Sequence, residues 1–239
     1  MHILFIQHAR VEHAGIFRKF LREDGHTWST VHLAEHEALP VIDNFDALWV
    51  LGGPMDVWQE EKYLWLKTEK KYIKEAVVTK GVPYFGLCLG HQLLADALGG
   101  QVGPSKHPEI GVLEVQLTEH GATGILFDDF DDRFPCLQWH GAEVKKLPEG
   151  ALVLATSPAC TVQAMSWGTR AFSVQFHVEI ENDTVESWSK IPAYSESLAN
   201  AMGDGGLESL RYACKTKMHE FNKMAERLYI NWLQTAAHA

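Results

Sequence analysis

The chain has 239 residues, 46% of them hydrophobic, and a formal charge of −10 from 21 Lys and Arg against 31 Asp and Glu. An excess of acid disfavours nucleic acid or an anionic membrane surface as the main partner, and no apolar run approaches membrane-spanning length. The four cysteines, at 88, 136, 160 and 214, form no Cys-x-x-Cys pair, which points to a reduced, cytoplasmic setting without a disulfide framework.

Met1-His2 leads straight into Ile3-Leu-Phe-Ile6, with no basic segment and no small-residue cleavage site, so Ile3–Gln7 reads as a first strand and not a secretion signal. A helical pattern through Ile16, Phe17, Phe20 and Leu21 predicts a helix over 14–23, ended by Asp24-Gly25. Residues 28–33 read as a second strand. The apolar run Asp46-Ala-Leu-Trp-Val-Leu51 stops abruptly at Gly52-Gly53-Pro54, as buried parallel strands do. A long helix is predicted over 63–80. Strands and helices that alternate in this way argue a doubly wound, mostly parallel α/β sheet. From Gly111 onward the texture changes, and short strands at 112–117, 152–155, 162–166 and 171–175 suggest antiparallel additions to the same sheet. Residues 207–232 carry apolar side chains at steps of three or four, the mark of a long amphipathic helix packed on the sheet. With no repeat, linker or low-complexity tract, the expectation is one domain over 1–239.

The stretch Tyr84-Phe-Gly-Leu-Cys88-Leu-Gly-His-Gln92 concentrates the chemical signal. Gly86-x-Cys88-x-Gly90 has the spacing of a nucleophile elbow with Cys in the place of Ser. A tight strand-to-helix turn leaves no room for side chains two positions either side of the nucleophile. It also sets Cys88 at a helix N-terminus, where free N–H groups favour a thiolate. A cysteine nucleophile needs a base, an orienting group and oxyanion donors. His177-x-Glu179, after the last short strand, can supply the first two, and the N–H groups of Leu89 and Gly53 the third.

Taken together, Leu51-Gly-Gly-Pro-Met55, the Gly86–Ala95 stretch, Leu98-Gly-Gly100, Gln138-Trp-His-Gly141 and Gln175-Phe-His177-Val-Glu179 resemble the class I glutamine amidotransferases, nearest the stand-alone branch similar to GMP synthases. The resemblance covers roughly residues 40 to 180. It implies a flavodoxin-like α/β fold, a triad of Cys88, His177 and Glu179, and an oxyanion hole from Gly53 and Leu89. It also implies a pocket for the glutamine head group near Pro54, Gln92, Gln138, Trp139 and His140. Two positions depart from the family pattern: Val178 stands where Pro is usual, which predicts a looser triad, and Ala142 where Asp is common, which unsettles the substrate loop.

The implied chemistry is attack of Cys88 on the side-chain amide of glutamine, loss of ammonia, and hydrolysis of a γ-glutamyl thioester, with no metal or organic cofactor. The small-molecule substrate is glutamine or another γ-glutamyl compound. Ammonia passes to an acceptor partner in trans, since no ATP-using phosphate loop occurs in the sequence, or is simply released. A γ-glutamyl peptidase would use the same steps with a different leaving amine. A metalloenzyme built on His32-x-x-Glu35-His36 is a more distant alternative, because that pattern needs a helix and here it leaves a strand and soon meets Pro40. A non-catalytic binding module on the same fold is the third.

Overall fold

A computed structural model of the chain describes residues 1–237. Nine strands form one sheet: β1 (His2–Gln7), β2 (Thr27–His32), β3 (Ala47–Val50), β4 (Tyr84–Leu87), β5 (Gln101–Leu117), β6 (Arg133–Lys146), β7 (Ala151–Thr156), β8 (Ala164–Trp167) and β9 (Ala171–Val174). Their spatial order is β2-β1-β3-β4-β9-β8-β7-β5-β6. The pairs β1–β2, β1–β3, β3–β4 and β4–β9 are parallel, and the remaining pairs are antiparallel. This is the mixed α/β sheet that the alternation of apolar runs predicts.

The inner parallel strands β1, β3, β4 and β9 are short and mostly apolar because helices cover both faces, whereas β2, at the edge, is half-exposed. Helices α1 (Phe17–Glu23), α2 (Trp65–Lys74), α3 (Leu89–Ala97), α4 (Glu119–Ala122), α5 (Thr184–Trp188), α6 (Pro192–Met202) and α7 (Gly206–Ala237) follow in chain order. One core contains Phe5, Phe17, Trp49, Phe85 and, from α7, Ala225, Leu228 and Trp232. The other contains Leu4, Ile6, Leu48 and Val50 with Leu66 and Ile73 of α2 and Leu93 and Leu94 of α3. Alternation along β1 and β3 sends successive side chains to opposite cores. None of the described helices is long and apolar enough to cross a membrane.

Three elements differ from the expectation. The helix foreseen over 63–80 is α2 followed by a π turn at Glu75–Thr79. Its end is set by Gly81 at φ 64°, which lets the Val82 N–H donate back to the Ala76 carbonyl. The strand foreseen over 112–117 is the end of the 17-residue β5, and β6, 14 residues long, was not foreseen. The first half of β5 holds Gly103, Pro104 and Pro108, which read as turn residues, and an irregular register between Pro104 and Glu109 accommodates them. Finally, the amphipathic helix serves two neighbours. The end of α7 packs on the sheet, whereas Leu210, Cys214 and Phe221 pack with Leu137, Trp139, Trp188 and Leu198.

Trp232 ties α7 to the sheet. It is fully buried, meets Trp49 edge-on at 4.9 Å and donates its indole N–H to the Tyr84 carbonyl at 3.2 Å. Trp232→Ala should therefore destabilise the fold by about 3–5 kcal/mol, read as a lower urea midpoint.

Candidate active site

The site lies beyond the carboxyl ends of the parallel strands, where doubly wound sheets collect their ligands. Cys88 follows β4 and caps α3 with φ 50° and ψ −102°. A non-glycine residue at positive φ is strained, and close packing around the turn holds it there. A Cβ on Gly90 would overlap the Val50 carbonyl, and one on Gly86 would lie 2.7 Å from the Gly90 backbone. The glycines two positions either side of Cys88 are thus required by backbone contact. His91, in the same stretch, turns into the core against Ser173 at 2.9 Å and is pushed down to about 3 by burial and by His140.

Residues 175–179 continue past β9. His177 Nδ1–H donates to Glu179 Oε1 at 2.6 Å, and both side chains are buried. Burial alone would depress the His177 pKa, but the Glu179 carboxylate and the hydrogen-bonded Cys88 sulfur outweigh it and raise it well above that of a free imidazole. Val178, where a looser triad was expected, adds a hydrogen bond: its N–H donates to Glu179 Oε2 at 3.0 Å. Proline at that position has no N–H to give. Trp188 stands edge-on to the imidazole at 4.7 Å.

Cys88 opens onto a cavity of about 190 Å³ lined by Gly53, Pro54, Asp56, Leu89, Gln92 and Trp139, among others. Gly52-Gly53 follows β3. A Cβ on Gly53 would press on His8 at 2.8 Å and Leu89 at 2.9 Å. Leu89 is the first residue of α3, and no described side chain caps that helix. β6 reaches the site through a bridge in which Leu137 and His177 exchange backbone hydrogen bonds at 3.0 and 2.9 Å. Trp139 and His140 line the cavity, but Gln138 does not: it is fully buried and donates to Gln163 at 2.9 Å. Gln92 donates to Gln175 at 3.0 Å and to the Ala142 carbonyl at 3.3 Å, so the backbone at Ala142 anchors the loop without the family's Asp. A larger surface cavity of about 560 Å³, bounded by Asp129, Phe134, Lys223 and Arg227, contains no cysteine or histidine.

Several further groups stand at the site, and apart from Gln175 none belongs to a sequence motif. Gln175 reaches Cys88 Sγ at 3.5 Å. His8 and Glu12, both buried, lie beneath the Gly52-Gly53 turn, and a Cβ on Gly52 would overlap the Glu12 carboxylate. Tyr194 of α6 donates its hydroxyl to Glu12 and lines the cavity. Burial raises the Glu12 pKa, opposed by the His177 charge and the Tyr194 hydroxyl. The position of His8 just past β1, at a carboxyl strand end, was the available signal.

Two arrangements bear on metal binding. The His32-x-x-Glu35-His36 alternative is overturned as a helical motif: Leu33–Glu35 form a single 3₁₀ turn, His36 has φ 63°, and Glu35 pairs with Arg10. Separately, buried Glu109, His140 and Cys160 place their ligand atoms within 4.8 Å of one another. The Glu109 oxygens already accept from Ser157 and Gln163, both at 2.7 Å, and burial pushes the Cys160 thiol up to about 12. These residues form a hydrogen-bonded polar core behind the cavity.

Residues 18–186 match the family described as glutamine amidotransferase class-I. The chain belongs to the class I glutamine amidotransferases. It is 32% identical over 235 residues to a glutamine amidotransferase-like protein, YfeJ, of Salmonella typhimurium, covering 96% of this chain and 95% of that one. A glutamine-hydrolysing GMP synthase subunit from Saccharolobus solfataricus is 33% identical over 62% of this chain and 74% of its own length. The GMP synthase of Aeropyrum pernix is 35% identical over 57% of this chain, which spans only 26% of that longer protein. A solved glutamine amidotransferase from Thermotoga maritima superposes with a TM-score of 0.86 at 28% identity, over 99% of this chain and 98% of that one.

The other three cysteines are held as thiols by burial, which pushes Cys160 and Cys214 up to about 12 and Cys136 well above the usual range. Iodoacetamide should label Cys88 first. Mass-spectrometric mapping that finds any of the other three labelled as fast would remove the special status of Cys88.

Proposed function

We propose that this amidotransferase hydrolyses the side-chain amide of glutamine through a thioester on Cys88. The observation that carries the reading is a strained cysteine at a helix N-terminus, open to the cavity, whose sulfur is hydrogen-bonded to the imidazole of a buried His177–Glu179 pair 2.6 Å apart. A raised His177 pKa keeps a proton on the imidazole beside the sulfur, which favours the imidazolium–thiolate pair. The thiolate attacks the amide carbon, the Gly53 and Leu89 N–H groups hold the oxyanion, and His177 gives its proton to the departing ammonia. His177 then draws a proton from water, which attacks the thioester carbon and releases glutamate. Glu179 orients the imidazole throughout.

Asp56, half-buried, is the one acidic side chain among the described residues lining the cavity. In this reading it receives the α-ammonium of the substrate, with Pro54, Gln92, Trp139 and His140 as neighbouring walls. Similarity to GMP synthase subunits supports delivery of the ammonia to a synthetase partner in trans.

Glutamate release from glutamine by the purified protein tests the proposal. Cys88→Ser should abolish it while the protein stays folded, and His177→Ala should approach that loss because nucleophile and base act as a unit. Release that survives Cys88→Ser would sink the assignment. Glu179→Gln should retain more activity but removes the charge that raises His177. The limb of the pH profile set by loss of the His177 proton should therefore move to lower pH. Asp56→Asn should raise KM roughly tenfold, equivalent to about 1.4 kcal/mol, with kcat unchanged. The same assay with a γ-glutamyl dipeptide decides the leaving amine: a preference for the dipeptide above about tenfold in kcat/KM makes the enzyme a γ-glutamyl peptidase.

A further inference from the structure

The residues under the Gly52-Gly53 turn explain how an oxyanion site can exist before substrate arrives. His8 is buried at the end of β1. Its Nδ1–H donates to the Gly52 carbonyl at 3.0 Å, and its Nε2 lies 2.9 Å from Glu69 Oε1 on α2. Trp65, also on α2, stacks on the ring with centroids 5.5 Å apart. Both ring nitrogens thus face acceptors, which requires the imidazolium form. The side chains of both His8 and Glu69 are shielded completely from solvent. The Gly52–Gly53 peptide is trans, like every described peptide bond. In a planar trans peptide the carbonyl of one residue and the N–H of the next point in opposite directions. A Gly52 carbonyl gripped by His8 therefore turns the Gly53 N–H away from His8, to the side where Gly53 lines the cavity with Cys88 and Leu89. Two glycines in sequence could otherwise rotate this peptide freely.

We propose that His8, locked by Glu69 and Trp65, is a positioning residue that clamps the Gly52–Gly53 peptide in its oxyanion-binding orientation, so that glutamine hydrolysis needs no partner protein to complete the site. The inference rests on the thioester reading above. His8 touches neither substrate nor Cys88 in this role; it acts only through the peptide.

The test compares two reactions of Cys88. Amide hydrolysis develops an oxyanion, whereas alkylation by iodoacetamide is a displacement at saturated carbon and develops none. Wild-type protein alone should release glutamate from glutamine. His8→Ala should lower kcat by about 10²–10³-fold, the loss of one oxyanion donor, with KM and the Cys88 alkylation rate near wild-type values. His8→Asn should recover most of the lost kcat, because its side-chain amide N–H sits where Nδ1 was and still donates to Gly52. Should His8→Ala fail to fold, Glu69→Gln decides: it keeps the bulk but not the charge that locks His8, and kcat should fall with alkylation unchanged. An unchanged kcat in folded His8→Ala or, in its place, in Glu69→Gln overturns the clamp. So does a parallel fall of kcat and alkylation, the mark of general structural damage. Wild-type protein that alkylates normally but hydrolyses nothing overturns the pre-formed site. Hydrolysis that persists in Cys88→Ser overturns the thioester reading itself, whatever His8 does.

Discussion

The close approach of Gly90 to the Val50 carbonyl is the constraint on which the site depends. It lets the first turn of α3 lie directly against the end of β3. That contact forces the strand-to-helix turn to be tight, and the tight turn puts Cys88 at φ 50°. It also brings Leu89 against Gly53, so the two backbone segments that flank the cavity share one packing contact. A side chain at Gly90 would push α3 off the sheet and separate them. The strain at Cys88 is offset by the surrounding packing, since every residue from Leu89 to Ala95 is buried.

Around this turn the chain places an unusual density of buried charge. His177 and Glu179, His8 and Glu69, and Glu12 with Tyr194 all sit near the carboxyl ends of β1, β3 and β9. Isolated buried charges are costly, and each here is matched by a partner or a hydroxyl. The two histidines share one logic. In each, burial would favour the neutral ring, and a carboxylate within hydrogen-bonding distance reverses that. The segment after β1 is what packs these groups together: Gly15, at φ 48°, lies against the Glu179 carbonyl, and Ile16 donates its N–H to the same oxygen. The loop that carries Glu12 thereby also supports Glu179.

Much of this was legible locally. The apolar run ending in Gly52-Gly53-Pro54, the glycine spacing around Cys88 and the His177-x-Glu179 pair each announce themselves through residue types that only a turn or a strand end requires. The long β5–β6 hairpin was not legible, because its prolines and glycines imitate a loop and only pairing with a distant strand makes them extended. The place of Gln138 was not legible either: its neighbours Trp139 and His140 border the cavity, whereas Gln138 is fully buried and donates to Gln163, 25 residues along the chain. Glu12 and Tyr194 were silent, since each is a single polar residue with no motif around it, and His8 offered only its place at a carboxyl strand end.

What the amino-acid order determined by itself was the set of parallel strands, the elbow at Cys88 and the family to which the chain belongs. Those signals are short-range, encoded by steric needs within a few residues. The tertiary structure alone decided which polar groups meet. His8 and Glu69 are 61 residues apart, and Tyr194 and Glu12 are 182 apart. Their contacts exist only because sheet order places β1 beside β3 and lays α2 and α6 over the strand ends, and no local pattern records a proximity that the folded topology creates.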